Sequence, residues 1–259
     1  MIKKYKIMLV LSVVVIGLIV FLFCYNDEIV HTIKKYYPDS KETLTFDYII
    51  RNGDTINNGK SIIYNEKGIK TSECNFVNNV LKGKRIHYYD NGKIESIEYN
   101  LDNKRKAEIL WNYTNEKVKE YALYNPAGEL TFNIKFNQDG TVAEYKGYPS
   151  IEIYQYKFAN KERFNIKENQ HLKVGDTLRY QYLVANIPNA KRSFSIENIS
   201  IDNSKVKRII KTTPPTGIDV KEVLTTKGKN TIRAIVKYQF NDKITPVLKD
   251  TTNFEVNVH

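Results

Sequence analysis

Cysteine is nearly absent from this 259-residue chain, with Cys24 and Cys74 the only two. Cys24 falls inside a long apolar run, so a disulfide within one folded unit is excluded and the fold must depend on packed cores. Alanine is missing before Ala107, which removes the small-residue A-x-A site that a signal peptidase requires. Blocks of like charge are missing as well. The formal net charge is +11, yet the basic residues are scattered and their longest cluster is Lys104-Arg105-Lys106. Nucleic acid is therefore not an expected partner; lysines spread in this way suit the solvated faces and edges of β-strands. No G-x-S-x-G elbow, phosphate-binding loop or H-E-x-x-H occurs. His31, His87, His171 and His259 stand at no zinc-ligand spacing from one another or from Cys74. These absences lead us to expect a protein that is not an enzyme, with no catalytic residues, no metal and no cofactor.

What is present begins with Ile7 to Cys24, an apolar run broken only by Ser12 and Gly17 and preceded by Lys3, Lys4 and Lys6. As a helix it would extend roughly 27 Å, close to the ~30 Å hydrocarbon core of a bilayer. Asp27, Glu28, Lys34 and Lys35 beyond it sum to zero. The excess of positive charge before the run predicts a cytoplasmic tail (residues 1–6), a single-pass signal anchor (7–25) in the bacterial cytoplasmic (inner) membrane, and everything from residue 26 outside the cytoplasm. Lipidation at Cys24 is disfavoured by the bulky Phe23 before it, and ordinary cleavage by the missing alanines. Residues 26–45 read as a juxtamembrane linker.

The middle of the chain is periodic. Gly59-Lys60 with Tyr64 and Gly68 returns 24 residues later as Gly83-Lys84 with Tyr88 and Gly92. Tyr64, Phe76, Tyr88, Tyr124, Phe136 and Tyr148 share one 12-residue register; Tyr99 and Tyr113 fall one position off its two other rungs. Gly68, Gly92, Gly128 and Gly140 each follow a rung by four. Apolar and polar residues alternate from Leu130 to Phe136, and Ile109, Trp111 and Tyr113 recur at every second position, which is strand periodicity. Asn-Gly and Asp-Gly pairs supply the positive φ that tight hairpins need. Twelve residues make a strand and a turn, so 24 make a hairpin, and stacked hairpins predict a β-meander over residues 46–158. Asp90 and Asp139 belong to those turns and are not candidates for acid–base work.

The string Gly83-Lys84-Arg85-Ile86-His87-Tyr88-Tyr89-Asp90-Asn91-Gly92-Lys93-Ile94 resembles the bacterial variant of the MORN repeat, found in envelope proteins and in an antitoxin-like family. The resemblance covers about residues 57–148. It departs from the pattern where Glu116 replaces the turn glycine and where Lys104 stands in place of another. It implies a binding or scaffolding surface, not a reaction. Because both faces of a single-layer sheet cannot be core, some of Tyr88, Tyr89, Tyr99, Tyr113, Tyr121 and Tyr145 should reach solvent or a partner; the first five are the candidate binding residues. Tyrosine gives large contact area at low entropic cost. The bland alternative is that these rings stack across strands and hold the meander together.

After residue 158 the ladder stops and the strands lengthen. Leu178, Tyr180, Tyr182 and Val184 alternate with polar residues, as do Ile232, Ala234, Val236, Tyr238 and Phe240, and Phe254, Val256 and Val258 close the chain. Six or seven strands over 159–259 predict a β-sandwich. The pair Thr231–Phe240 and Asn253–Val258 resembles the last hairpin of bacterial immunoglobulin-like domains, without the antibody-type cysteine pair or core tryptophan. The expected whole is an all-β protein carrying an N-terminal membrane helix. Its expected function is a membrane-anchored scaffold that presents a repeat sheet and a sandwich to an envelope protein or polymer. The alternative is an immunity-type protein that neutralises a toxin at the membrane.

Overall fold

The computed structural model describes residues 28–159, 162–165, 171–199 and 201–259. The expected membrane helix at 7–25, the tail before it and Cys24 lie outside them. Among the described residues no helix is long and apolar enough to cross a membrane. The elements are strands, apart from one 3-10 turn at Asn203–Lys205.

Ten strands follow one another in chain order: β1 His31–Tyr37, β2 Glu42–Arg51, β3 Asp54–Tyr64, β4 Lys70–Val77, β5 Val80–Tyr88, β6 Ile94–Asn100, β7 Lys106–Asn112, β8 Val118–Tyr124, β9 Leu130–Phe136 and β10 Val142–Gly147. They pair antiparallel, each with its chain neighbours, in one ten-stranded meander.

The turns explain the period. Along one edge they start at Asn65, Tyr89, Tyr113 and Asn137. Each of these residues accepts a bond from the amide three residues on and donates its own amide to the carbonyl four residues on, at 2.8–2.9 Å. The residue three on has positive φ: +74° at Gly68, +79° at Gly92, +69° at Glu116 and +99° at Gly140. This is a type I turn closed by a left-handed residue, a standard short hairpin connection. Glu116 thus adopts the glycine conformation, and the hairpin stays regular where the sequence departs from its repeat. Gly128 closes the same turn on the opposite edge, where Asn52-Gly53 and Asn78-Asn79 make tighter two-residue turns with positive φ at both positions. At Lys104 the turn is built differently: the Asp102 carboxylate accepts the amides of Lys104 and Arg105, each at 2.9 Å.

Two boundaries differ from expectation. The stretch 26–45, expected to be linker, carries β1 and the start of β2. β1 is exposed along its whole length, so it has no apolar alternation to betray it; its register with β2, from His31 opposite Tyr48 to Tyr37 opposite Glu42, holds it. The strand at Ser150–Ala159 (β11), expected to end the repeat region, leaves the meander after Tyr148-Pro149 and pairs with Thr177–Val184 (β13).

The remaining strands are β12 Glu162–Asn165, β14 Ala190–Ile199, β15 Arg208–Thr213, β16 Gly217–Val223, β17 Gly228–Phe240 and β18 Leu248–Val258. They form two sheets, ordered β12-β11-β13-β16-β15 and β14-β17-β18. Inward residues alternate along β13 (Leu178, Tyr180, Tyr182, Val184) and β17 (Ile232, Ala234, Val236, Tyr238), and all are buried. Their rings meet between the sheets, with Tyr180 5.0 Å from Phe254 and Tyr182 5.6 Å from Phe194. A buried carboxylate, Glu222, ties four strands. It accepts from Tyr180 Oη at 2.7 Å, Asn198 Nδ2 at 2.5 Å and Arg208 Nε at 2.8 Å. Burying this charge is tolerable because every bond it needs is made.

The meander does not hang free of this second assembly. Tyr121 and Leu123 of β8 and Phe132, Ile134 and Phe136 of β9 belong to the same apolar cluster as the inward residues of β13, β16, β17 and β18.

Candidate functional site

Cross-strand register sorts the meander's side chains into two faces. One face carries the row Tyr145–Ile134–Tyr121–Leu110–Ile97–Ile86. Ile134 of β9 and Tyr121 of β8 are buried in the core shared with the C-terminal sheets, Leu110 of β7 packs partly against it, and the row continues through Ile97 on β6 to Ile86 on β5.

Most of the candidate tyrosines serve the fold. Tyr89 and Tyr113 are equivalent positions 24 residues apart. Each donates its hydroxyl to a carbonyl one hairpin further on, Asn112 O at 2.6 Å and Phe136 O at 2.8 Å. They staple neighbouring turns. Tyr88 donates to Glu73 Oε1 at 2.5 Å, while the Lys70 ammonium sits 4.1 Å from the centre of its ring. Lys60 and Lys70 also approach Glu73, at 2.9 and 3.4 Å. The Tyr88 hydroxyl and then the two ammonium groups hold the Glu73 carboxyl down at about 2. Burial, then Glu73, pushes the Tyr88 phenol up. Tyr121 is 2% exposed, donates to Glu108 Oε2 at 2.8 Å and accepts from the Asn186 amide at 2.9 Å. Burial first, then Glu108, raises its pKa well above the ordinary phenol range. It is a rivet between the meander and the C-terminal sheets and not an exposed contact residue. Tyr99 lines a hollow of about 170 Å3 with Lys84 and Leu110 beside that rivet. Tyr145, half exposed at 49%, lies 6.3 Å from Phe132.

The opposite face holds a larger feature, a trough of about 570 Å3 over β2 to β6. Two register rows build it: Ile63–Ser72–His87–Ser96 and Ser61–Cys74–Arg85–Glu98. Its floor is low because the residues there are small, namely Ser61, Ser72 and Cys74. Ile63, Phe76, Arg85 and His87 stand around them, and Glu42 and Glu95 mark the rim. Ser61 is 8% and Ser72 7% exposed, and neither hydroxyl has a hydrogen-bonding partner among the described residues. The Arg85 guanidinium likewise has none among them. His87 is partly buried, and desolvation lowers its pKa below the ordinary imidazole value, which favours the neutral ring at pH 7.

Nothing in the linear sequence joins residues 61, 72, 74, 85 and 87; only the register does. The trough was therefore not visible as a motif, although small polar residues recurring at strand positions were its trace. The asparagines that head the two N-x-S/T triplets, Asn112-Tyr113-Thr114 and Asn198-Ile199-Ser200, serve the fold. Asn112 donates to Ile94 O and Asn198 to Glu222, and both asparagines are buried. His171 and His259 come together, with ring centres 5.4 Å apart, but no group of three or more metal-ligating side chains forms among the described residues. Asp139 and Asp242 accept bonds within their own turns, in keeping with turn chemistry.

Compared with known proteins, the chain matches no protein-family model and no curated protein.

Proposed function

We propose that the protein is a non-enzymatic binding scaffold of the bacterial envelope, tethered by residues 7–25 to the cytoplasmic membrane with its β-modules outside. It presents a MORN-like repeat sheet and an immunoglobulin-like sandwich to a protein or envelope-polymer partner. The observation that carries this reading is the meander itself. Its last strands are locked into the C-terminal core, while the trough over β2–β6 on the opposite face is open. A sheet built from stacked hairpins with an uncovered face is a surface, and such surfaces act by contact.

The immunoglobulin-like assignment is supported by strand order. Leaving β12 aside, the eight-strand assembly reads first-second-fifth-fourth in one sheet and third-sixth-seventh in the other, as in constant-type immunoglobulin domains. The MORN-like assignment is supported by the 24-residue recurrence of one turn geometry. The tether is supported by the Ile7–Cys24 run and the lysines before it.

Cross-linking with mass spectrometry on intact bacterial membranes tests the reading. A specific envelope partner should be recovered with the full chain and lost when trough residues are substituted. Recovery of the protein only from the soluble fraction, starting near residue 25 and without partners, would refute both the tether and the scaffold.

A further inference from the structure

We infer that the trough over β2–β6 is a binding site for a short stretch of uncharged polysaccharide. This inference rests on the scaffold reading above and names the chemistry of one partner.

Shape comes first. Strands lie ~4.8 Å apart, so the five strands from β2 to β6 give the trough a run of about 19 Å. That suits a short oligosaccharide better than a single ring. The trough lies on a sheet face and not along an edge, so it offers no row of free backbone groups to an extended peptide, as β-strand addition would require.

Polarity comes next. Ser61 and Ser72 are more than nine-tenths buried, line the trough, and leave their hydroxyls without partners among the described residues. Neither Oγ is among the buried side-chain atoms that lack a partner, so both open onto the trough, and a ligand rich in hydroxyls can bond them, because each can donate and accept. Arg85 supplies further donors, neutral His87 one donor and one acceptor, and Glu42 and Glu95 acceptors at the rim. Phe76 and Ile63 add apolar surface for the C–H faces of sugar rings.

Charge decides against the obvious rivals. The whole chain is strongly basic, yet the trough lining sets Arg85 against Glu42 and Glu95, and Glu98, across from Arg85 in the same row, is paired with Lys106. An anionic polymer would find no excess of positive charge there, and a cation would meet Arg85.

The test uses the full chain in detergent with chitotetraose, cellotetraose and maltotetraose as probes. Trp111, the chain's one tryptophan, lies on the trough face two strands from His87, through Ser96. Its fluorescence reports occupancy, and calorimetry checks it. At least one probe should bind saturably. Ser72→Phe, which fills the floor, should weaken that binding at least tenfold, and Arg85→Ala several-fold, with circular dichroism unchanged. If Ser72→Phe fails to fold, Arg85→Ala carries the test alone, since that side chain is partly exposed and unpaired. The inference is overturned by no saturable binding of any probe, by binding that the folded variants leave unchanged, or by equal binding of tetra-alanine. If no sugar binds but a cross-linked envelope partner persists, the ligand class falls and the scaffold stands. Loss of both results overturns both.

Discussion

Replacing Glu116 by glycine should stabilise the protein. Glu116 holds φ at +69° in a turn whose counterparts 24 and 48 residues upstream and 24 residues downstream are glycines with φ of +79°, +74° and +99°. A side chain in that left-handed region costs about 1–2 kcal/mol. Glycine gives back part of this, about 0.5–1 kcal/mol, through its greater freedom in the unfolded chain. The substitution also loses the ion pair of Glu116 with Lys93, 3.2 Å long and with both side chains well exposed, which is worth about 0–0.5 kcal/mol. These terms centre on a net gain of about 0.5 kcal/mol, or about 1–2 °C in melting temperature for a chain of this size. Thermal and urea unfolding followed by circular dichroism would measure it. Gly140→Ala is the mirror control: a Cβ there meets nothing within 4 Å, so its expected loss of about 1 kcal/mol is purely conformational. A loss at Gly140→Ala together with no gain, or a loss, at Glu116→Gly would refute the claim that the four turns are one structure repeated.

Three further outcomes follow from the side-chain networks. Tyr121→Phe should cost about 1–2 kcal/mol, because it strips a buried bond from both Glu108 and the Asn186 amide; a cost near zero in urea unfolding would show that the two modules are not riveted there. Arg208→Ala should cost about 3–5 kcal/mol by leaving Glu222 charged, buried and short of a partner, and a loss below 1 kcal/mol would contradict it. The carboxyl of Glu73 is held below its unfolded value of 4.5, at about 2. Its contribution is therefore full above about pH 4.5 and is lost as pH falls toward 2. Part of that side chain meets solvent, so the loss is on the order of 1 kcal/mol; Tyr88→Phe should shrink this acid-sensitive step, and an unchanged pH profile would count against the assignment.

How far the fold could be read from residues depended on whether the signal was local. The alternation of Leu130, Phe132, Ile134 and Phe136 and the Asn-Gly turns are decided within a few residues, and they gave strands and hairpins where expected. β1 was hidden because all its side chains face solvent and only hydrogen bonds to β2 make it a strand. The departure of β11 was hidden because which sheet a strand joins is settled by its partner β13, some 27 residues on. Tyr121 looked like any other rung tyrosine, and its burial depends on Asn186, 65 residues away. The trough needs residues from five strands in register, so no window of sequence contains it.

Locking β8 and β9 into the C-terminal core has a consequence for reach. The sheet's free end, β1, lies nine strand spacings along the sheet from β10, a path of about 43 Å at ~4.8 Å each. Because one turn geometry repeats every 24 residues and its contacts pass only to the next hairpin, gaining or losing a hairpin would alter that distance in steps of about 10 Å. The meander is in that sense a spacer of quantised length, with its origin fixed at the sandwich and its tip carrying whatever precedes residue 28.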